Sequence, residues 1–433
     1  MTVAILGGGL TGLTLANLLN LEDIKILEKE NECGGLCRSI KENGYTFDWG
    51  GSHVIFSKDT QVLEFMKKIL DNNIVQRHRN TKILYKGKLV KYPFENGLCD
   101  LSKQENFECL LEFIYAYYRE NKPDPNNFRE WMYSTFGSGI TEKYLIPYNE
   151  KIWKLDPIKI GLDWTKGRIP QPPIEDVIKA SLGLESEGYI HQLNFYYPRK
   201  GGIQSLINSL EKKVQDNIIL NFEINRIEKI EDSWIISNDK DCIECKEIIS
   251  TIPLFDLIYA LKNVPKDILC ALDRLRYNSL ITIMIGINSP NMNDLSWLYI
   301  PDSVCISHRV SFPSNYSDMV APYSKSSVLA EITYNEHCII QLTDEEIIKN
   351  ITDYLHQNKL INKDDIEYTN VKHIKYGYVV NDLEYEKNIK IIRNYLKSIG
   401  IHIVGRFSEW EYHNMDACIR SSMNFVSMWK NGD

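Results

Sequence analysis

The feature that most constrains this chain lies at its start. Gly7-Gly8-Gly9-Leu10-Thr11-Gly12 spells G-x-G-x-x-G between an apolar run, Thr2–Leu6, and a stretch of helical periodicity, Leu10–Leu19. A second apolar run, Ile24–Leu27, ends on an acid, Glu28. The glycine pattern alone is weak. With a strand before it, a helix after it and an acid about 20 residues on, it specifies a dinucleotide-binding β-α-β unit. In such a unit Gly7 makes the tight turn, Gly9 admits the pyrophosphate to the backbone, and Gly12 lets helix and strand pack closely. The helix N-terminus, with Leu10 and Thr11 in its first turn, faces the phosphates with unpaired N–H groups. Glu28, with Lys29 beside it, falls at the ribose, where its carboxylate would accept from hydroxyls.

The rest of the composition narrows the function by exclusion. At 433 residues the chain has room for two or three structural units. A formal net charge of −8 argues against a nucleic-acid partner, which wants a basic face. It leaves anionic substrates open, because a few arginines can dominate a cleft. No run approaches the ~18 apolar residues of a membrane span, and no basic leader precedes Thr2, so a cytoplasmic protein without a signal peptide is expected. Of the ten cysteines, Cys33/Cys37 and Cys242/Cys245 look paired, but neither pair has the further ligands zinc requires. Free thiols and no metal are the expectation.

Along the chain, Leu101–Arg119 reads as a helix carrying Phe107, Phe113 and Tyr117 on one face, and helix-like sequence continues to about residue 180, broken by prolines. Pro198–Gly202 reads as a turn leading into a helix, Ile203–Val214. Ile218–Ile230 alternates as a strand, followed by strands at Ser233–Ser237, Glu247–Ile252, Leu280–Ile287, Ser327–Thr333 and Ile401–Gly405. A closing helix follows Asp416. Interleaved strand-rich and helix-rich stretches predict an α/β fold.

Past Glu28 comes Gly34-Gly35-Leu36-Cys37-Arg38-Ser39. A glycine pair followed by Arg and Ser resembles the FAD proteins of the amine-oxidase class. Gly405-Arg406 after a buried strand, and Met415-Asp416-Ala417 at the last helix, resemble the segment that class lays against the flavin pyrimidine. Asn225 with Arg226, Thr251 and Pro253 resemble its adenine-side strands. The resemblance implies a Rossmann-like, GR2-type FAD domain assembled from residues 1–90, 196–275 and 395–433. It adds a helical domain at 97–190 and an antiparallel-sheet substrate domain at 276–394 with part of 80–96.

A narrower resemblance runs in order through the chain. Phe47-Asp48-Trp49-Gly50-Gly51-Ser52-His53 looks like the flavin-side loop of UDP-galactopyranose mutases, and Tyr92-Pro93-Phe94-Glu95-Asn96 like their nucleotide-side segment. Trp164-Thr165-Lys166-Gly167-Arg168 resembles their Trp-x-x-x-Arg. Trp297, His308-Arg309 and Ser314-Asn315-Tyr316 resemble the stretch supplying a diphosphate-binding arginine. Gly377-Tyr378 and Trp410-Glu411-Tyr412 complete the set.

That likeness implies a sugar-nucleotide pyranose/furanose mutase serving cell-surface polysaccharide precursor synthesis. Its substrate would be a nucleotide sugar such as a UDP-hexose. Reduced FAD acts as the N5 nucleophile on the anomeric carbon, with NAD(P)H as the expected reductant. His53, Arg168 and Arg309 are then the catalytic candidates. His53 tunes the flavin edge while Arg168 and Arg309 hold the diphosphate. Tyr378 and Tyr412 could add hydroxyl donors, and Trp164 stands as cleft wall.

Two departures matter. Ser52 stands between the glycine pair and His53. Glu95 stands where some members have Gln; if ionised it only accepts hydrogen bonds, which would favour a base other than uracil. The Gly-, Ser- and Glu-rich segment 180–191 is read either as a lid over the sugar or as a plain surface loop. The competing functions are a redox flavoenzyme of the same superfamily, or a non-catalytic FAD-stabilised protein. Oligomeric state is open.

Overall fold

In the computed structural model the described residues are 2–120, 122–165, 169, 171–184 and 193–431. Val3–Leu6 is fully buried and wholly apolar, as a central parallel strand covered on both faces must be. It pairs in parallel with Ile24–Leu27 on one side and Glu247–Ser250 on the other. Ile401–Ile403 and Ile218–Ile219 close the two edges of this five-stranded parallel sheet. Its strands therefore come from the beginning, middle and end of the chain. The helix Leu10–Leu19 begins directly after the glycine turn, where Gly7 adopts φ +97°, a conformation open mainly to glycine. It ends at Asn20 in the left-handed region. A three-stranded antiparallel meander, Arg226–Ile230, Ser233–Ser237 and Cys242–Cys245, stands beside the sheet.

A second sheet has seven strands, in the order Ile366–Val380, Arg276–Ile287, Ser326–Tyr334, Arg309–Ser311, Trp297–Tyr299, Thr81–Tyr85, Lys88–Lys91. It is antiparallel, as expected, except where Trp297–Tyr299 runs parallel to Thr81–Tyr85. The helices Lys103–Tyr118, Phe128–Ile140 and Ile174–Ser181 share a core of Phe94, Phe113, Phe136, Tyr144 and Val177. Ser102 starts the first of them by accepting from the N–H of Glu105, a good N-cap.

Three expectations need correction. Ile218–Ile230 is not one strand. Asn221 takes φ +57° and breaks it, and Asn221 and Phe222 donate their N–H groups to the carbonyls of Glu30 and Glu28. The chain thus swings past the end of Ile24–Leu27 before re-extending at Arg226. The aromatics Phe107, Phe113 and Tyr117 do not all share a face: buried Phe113 lies with its ring 6.2 Å from that of Tyr117, four residues on, while Phe107 is exposed on another side. Six residues is one and two-thirds turns of an α-helix, which places Phe107 and Phe113 apart. The helix expected at Ile203–Val214 covers only Gln204–Glu211. All ten cysteines are free thiols. Among the described residues no helix is long and apolar enough to cross a membrane, and no cluster of three potential metal ligands occurs.

Candidate functional site

One cavity of about 1410 Å³ runs from the glycine turn to the seven-stranded sheet. A drug-sized ligand occupies a pocket of roughly 300–1,000 Å³, so this one has room for a dinucleotide and a second ligand. At its first end the backbone makes the site. Gly9 begins the helix with no side-chain cap, leaving first-turn N–H groups for a ligand. A Cβ at Gly9 would meet nothing within 4 Å, whereas one at Gly12 would lie 2.0 Å from the carbonyl oxygen of Gly7. Gly9 thus marks open space and Gly12 marks helix-to-turn packing. Glu28 accepts the N–H of Gly8 at 2.7 Å and of Glu30 at 3.0 Å, one on each oxygen. Burial pushes its pKa up, partly offset by those two donors. Each oxygen keeps a lone pair for a hydroxyl. Lys29, Gly35, Asn225, Thr251 and Pro253 line the same cavity, as does Leu36, which packs in one cluster with Leu280 and Tyr378. Arg38 lies there too, with its guanidinium 4.5 Å from the ring centroid of Trp49.

The middle of the cavity gathers segments far apart in sequence. Met415, Asp416 and Ala417 bring the start of the last helix to the wall. Ser57 donates to Asp416 at 2.7 Å. Arg406 donates to the carbonyls of Gly377 and His413 and lies 4.8 Å from the ring of Tyr412. Its buried Nε has no partner among the described residues. His53 lies 2.7 Å through Nδ1 from the carbonyl of Gly51. Burial first, then the charges of Arg309 and Arg406, pull its pKa down to about 4. The imidazole is therefore neutral at pH 7. A carbonyl only accepts, so Nδ1 carries the proton and Nε2 is an acceptor.

The far end is aromatic and cationic. Tyr378 and Tyr412 stand side by side with ring centroids 5.9 Å apart, and Trp164 packs edge-on to Trp153 at 5.1 Å. Arg309 is clamped by the buried carboxylate of Glu331, Nε to Oε1 at 2.8 Å and Nη2 to Oε2 at 2.7 Å. Burial alone would disfavour its charge; Glu331 overcomes this and holds it protonated. Tyr92 and Trp297 flank Arg79, whose guanidinium lies 4.8 and 4.9 Å from their ring centroids.

The sequence candidates thus separate into groups. Gly7, Gly9, Leu10, Thr11, Glu28, Lys29, Gly35, Leu36, Arg38, Ser52, His53, Arg406, Met415, Asp416 and Ala417 line the cavity, as do Tyr92, Trp164, Trp297, Arg309, Tyr378 and Tyr412. Arg168 and residues 185–191 of the lid segment lie outside the described residues. Gly12 and Gly51 are packed behind the wall. Arg226 points away, exposed and paired with Glu228. Asn315 donates to the carbonyls of Asn293 and Leu295, and Phe94 stacks on Tyr144 in the helical core. Arg79 and Glu331 belong to no motif. The available signals were a cation two residues ahead of an apolar strand and a lone acid inside one.

Glu95 also stands off the wall, 5% exposed, and burial lifts its pKa to about 7. The premise of a fully ionised Glu95 therefore fails near neutrality. The folded state holds the proton more tightly than the unfolded chain, so stability falls as pH rises from the ordinary carboxyl range through about 7. Glu95→Gln should melt higher than wild type at pH 8, by on the order of 3 kcal/mol. The gain should vanish near pH 4.5. Parallel thermal melts at the two pH values check this; an equal difference at both would remove the buried-carboxyl account.

The residues present fit a flavin: an uncapped helix start, a ribose-side acid, open space at Gly9 and an unpartnered Arg406 Nε. The family model described as flavin containing amine oxidoreductase matches residues 10–375. The chain belongs to this family. A flavin is accordingly its cofactor.

Among solved structures, reduced UDP-galactopyranose mutase is similar to this family member at TM-score 0.92 and 24% identity, over 100% of this chain and 96% of that one. A protein of Exiguobacterium sp. 255-15, provisionally assigned as a protoporphyrinogen oxidase, follows at TM-score 0.79 and 17% identity, over 100% and 99%. Putrescine oxidase bound to putrescine gives TM-score 0.69 and 15% identity, over 99% of each chain. An uncharacterised protein in the nifH2 3′ region of Methanothermococcus thermolithotrophicus is 46% identical over 52 residues. That match spans 12% of this chain and half the length of the curated relative.

Proposed function

We propose that this flavoprotein is a nucleotide-sugar pyranose/furanose mutase that binds FAD and takes a UDP-hexose or a close analogue. The observation that carries this reading is the meeting of Arg309, Tyr378 and Tyr412 in the cavity that His53 shares. A diphosphate needs a cation and hydroxyl donors, whereas a small amine needs neither. The close fold likeness to the mutase supports the same choice.

Reduced flavin, when bound, would supply a nucleophilic N5 for the anomeric carbon. The chain's own residues have the complementary work. Arg309 keeps the leaving diphosphate within reach for its return, using the Nη1 that Glu331 leaves over. Tyr378 and Tyr412 offer O–H donors, and burial keeps the Tyr378 hydroxyl protonated. Neutral His53 presents an acceptor at Nε2 and no positive charge. The aromatic walls keep water from a reactive anomeric centre. The substrate arginine at 168, the NAD(P)H reductant, a cytoplasmic setting and a role in polysaccharide precursor synthesis belong to the same proposal.

The rival reading is an amine-type oxidase, favoured by the paired rings of Tyr378 and Tyr412. One experiment separates them. Photoreduced holoprotein should convert UDP-galactopyranose, UDP-arabinopyranose or a dTDP-sugar to its furanose form, visible by chromatography. Amine-dependent peroxide release, with no sugar-nucleotide conversion across that panel, would reverse the assignment.

A further inference from the structure

Glu331 is the single acid of the strand Ser326–Tyr334 and is completely buried. A buried carboxylate is costly unless its lone pairs are used, and here they serve two different walls of the cavity. Both oxygens bind Arg309. Oε1 also accepts the N–H of Ser52 at 3.2 Å, and His53 is the next residue. The loop is pressed against this carboxylate: a Cβ on Gly51 would sit 2.7 Å from Oε2. The Ser52 hydroxyl in turn lies 2.9 Å from that of Tyr316. The backbone carbonyl of Glu331 accepts from the His308 N–H at 3.0 Å and the Ser307 hydroxyl at 2.9 Å. Glu331 does not line the cavity itself, so any effect on a ligand passes through these neighbours.

We infer that Glu331 is a positioning residue that ties the phosphate-side arginine to the flavin-side loop, so that an anion bound at Arg309 alters the surroundings of the flavin. The inference rests on the mutase reading for the identity of that anion, a nucleoside diphosphate. When the anion takes the free edge of Arg309, the guanidinium shares its charge between two partners and its hold on Glu331 weakens. The carboxylate then bonds more strongly to the remaining donor, the Ser52 N–H. Loop and cation move as one linked unit, as coupling between two ligands requires.

Glu331→Gln tests this because it preserves volume and can still accept from Ser52, while its amide cannot chelate the guanidinium. UDP and dTDP are titrated into oxidised holoprotein, with calorimetry reporting binding and flavin absorbance and reduction potential reporting the cofactor. In wild type, UDP should bind and shift both flavin readouts. In Glu331→Gln, UDP should still bind, but the flavin response at saturation should fall by roughly tenfold. Glu331→Asp keeps the charge but is too short to bridge both partners, and it should show the same loss. A full wild-type response in Glu331→Gln or Glu331→Asp overturns the inference. So does UDP binding to wild type with no flavin response, a result that needs no variant to fold. Wild type that binds neither nucleotide overturns the mutase reading, and this inference with it.

Discussion

Arg309→Ala should give a protein that keeps its flavin but binds UDP at least ~100-fold more weakly, because a charge-assisted, desolvated phosphate contact is lost. A second effect goes with it. Glu331 would be left as an unpaired buried charge, and breaking such a pair costs about 3–5 kcal/mol. The melting temperature should therefore fall together with affinity. The double variant Arg309→Met/Glu331→Met separates the two effects. Replacing the whole pair by apolar volume is often neutral or stabilising, so stability should return while UDP binding does not. Calorimetry and thermal melts on the three proteins decide it. If Arg309→Ala binds UDP as wild type does, Arg309 is a structural partner of Glu331 and no phosphate ligand.

Gly12→Ala should yield a protein that purifies without flavin. Its new Cβ would fall 2.0 Å from the Gly7 carbonyl oxygen. That turn cannot yield, since the Gly7 N–H is bonded to Leu27 at 2.8 Å and the Thr251 hydroxyl approaches the Gly7 carbonyl at 3.3 Å. The helix must retreat, carrying its N–H groups off the phosphates, at an overpacking cost of about 1–3 kcal/mol. Gly9→Ala is the contrast. Nothing surrounds that Cβ within 4 Å, so the apoprotein should be stable to within about 0.5 kcal/mol, yet flavin retention should drop. The ratio of flavin to protein absorbance, read beside the melts, distinguishes the two. Stoichiometric flavin in Gly12→Ala would contradict the packing argument.

The fold was legible wherever a local period specified it. Val3–Leu6, Leu10–Leu19 and Ser233–Ser237 lie within a residue of where periodicity puts them. Ile218–Ile230 misled because alternation cannot register a left-handed residue at Asn221. On the site, the glycine turn and Glu28 reach the cavity from residue types that backbone geometry dictates, and the final helix start was found through its likeness to the amine-oxidase class. Residues that act through long-range pairing were not legible. Glu331 meets Arg309 only because two strands align, at the register Arg309↔Glu331, and no spacing in sequence encodes that. Glu95 and Asn315 were drawn toward the ligand by their motif neighbours, but each faces inward. Arg226 fell one residue past Asn225, the last of its segment to reach the cavity.

The cavity wall takes Gly7 from one end of the chain, Asn225 and Thr251 from its middle, and Ala417 from the other end. On the ribosome those pieces emerge in that order, and domains tend to fold as they emerge. Here the cradle cannot close around a flavin until the helix Met415–Asn431 has been made. Capture of the cofactor must then wait until that helix has been made. Shortly before that, the strand Glu247–Ser250 still has one edge bare, until Ile401–Ile403 emerges to cover it.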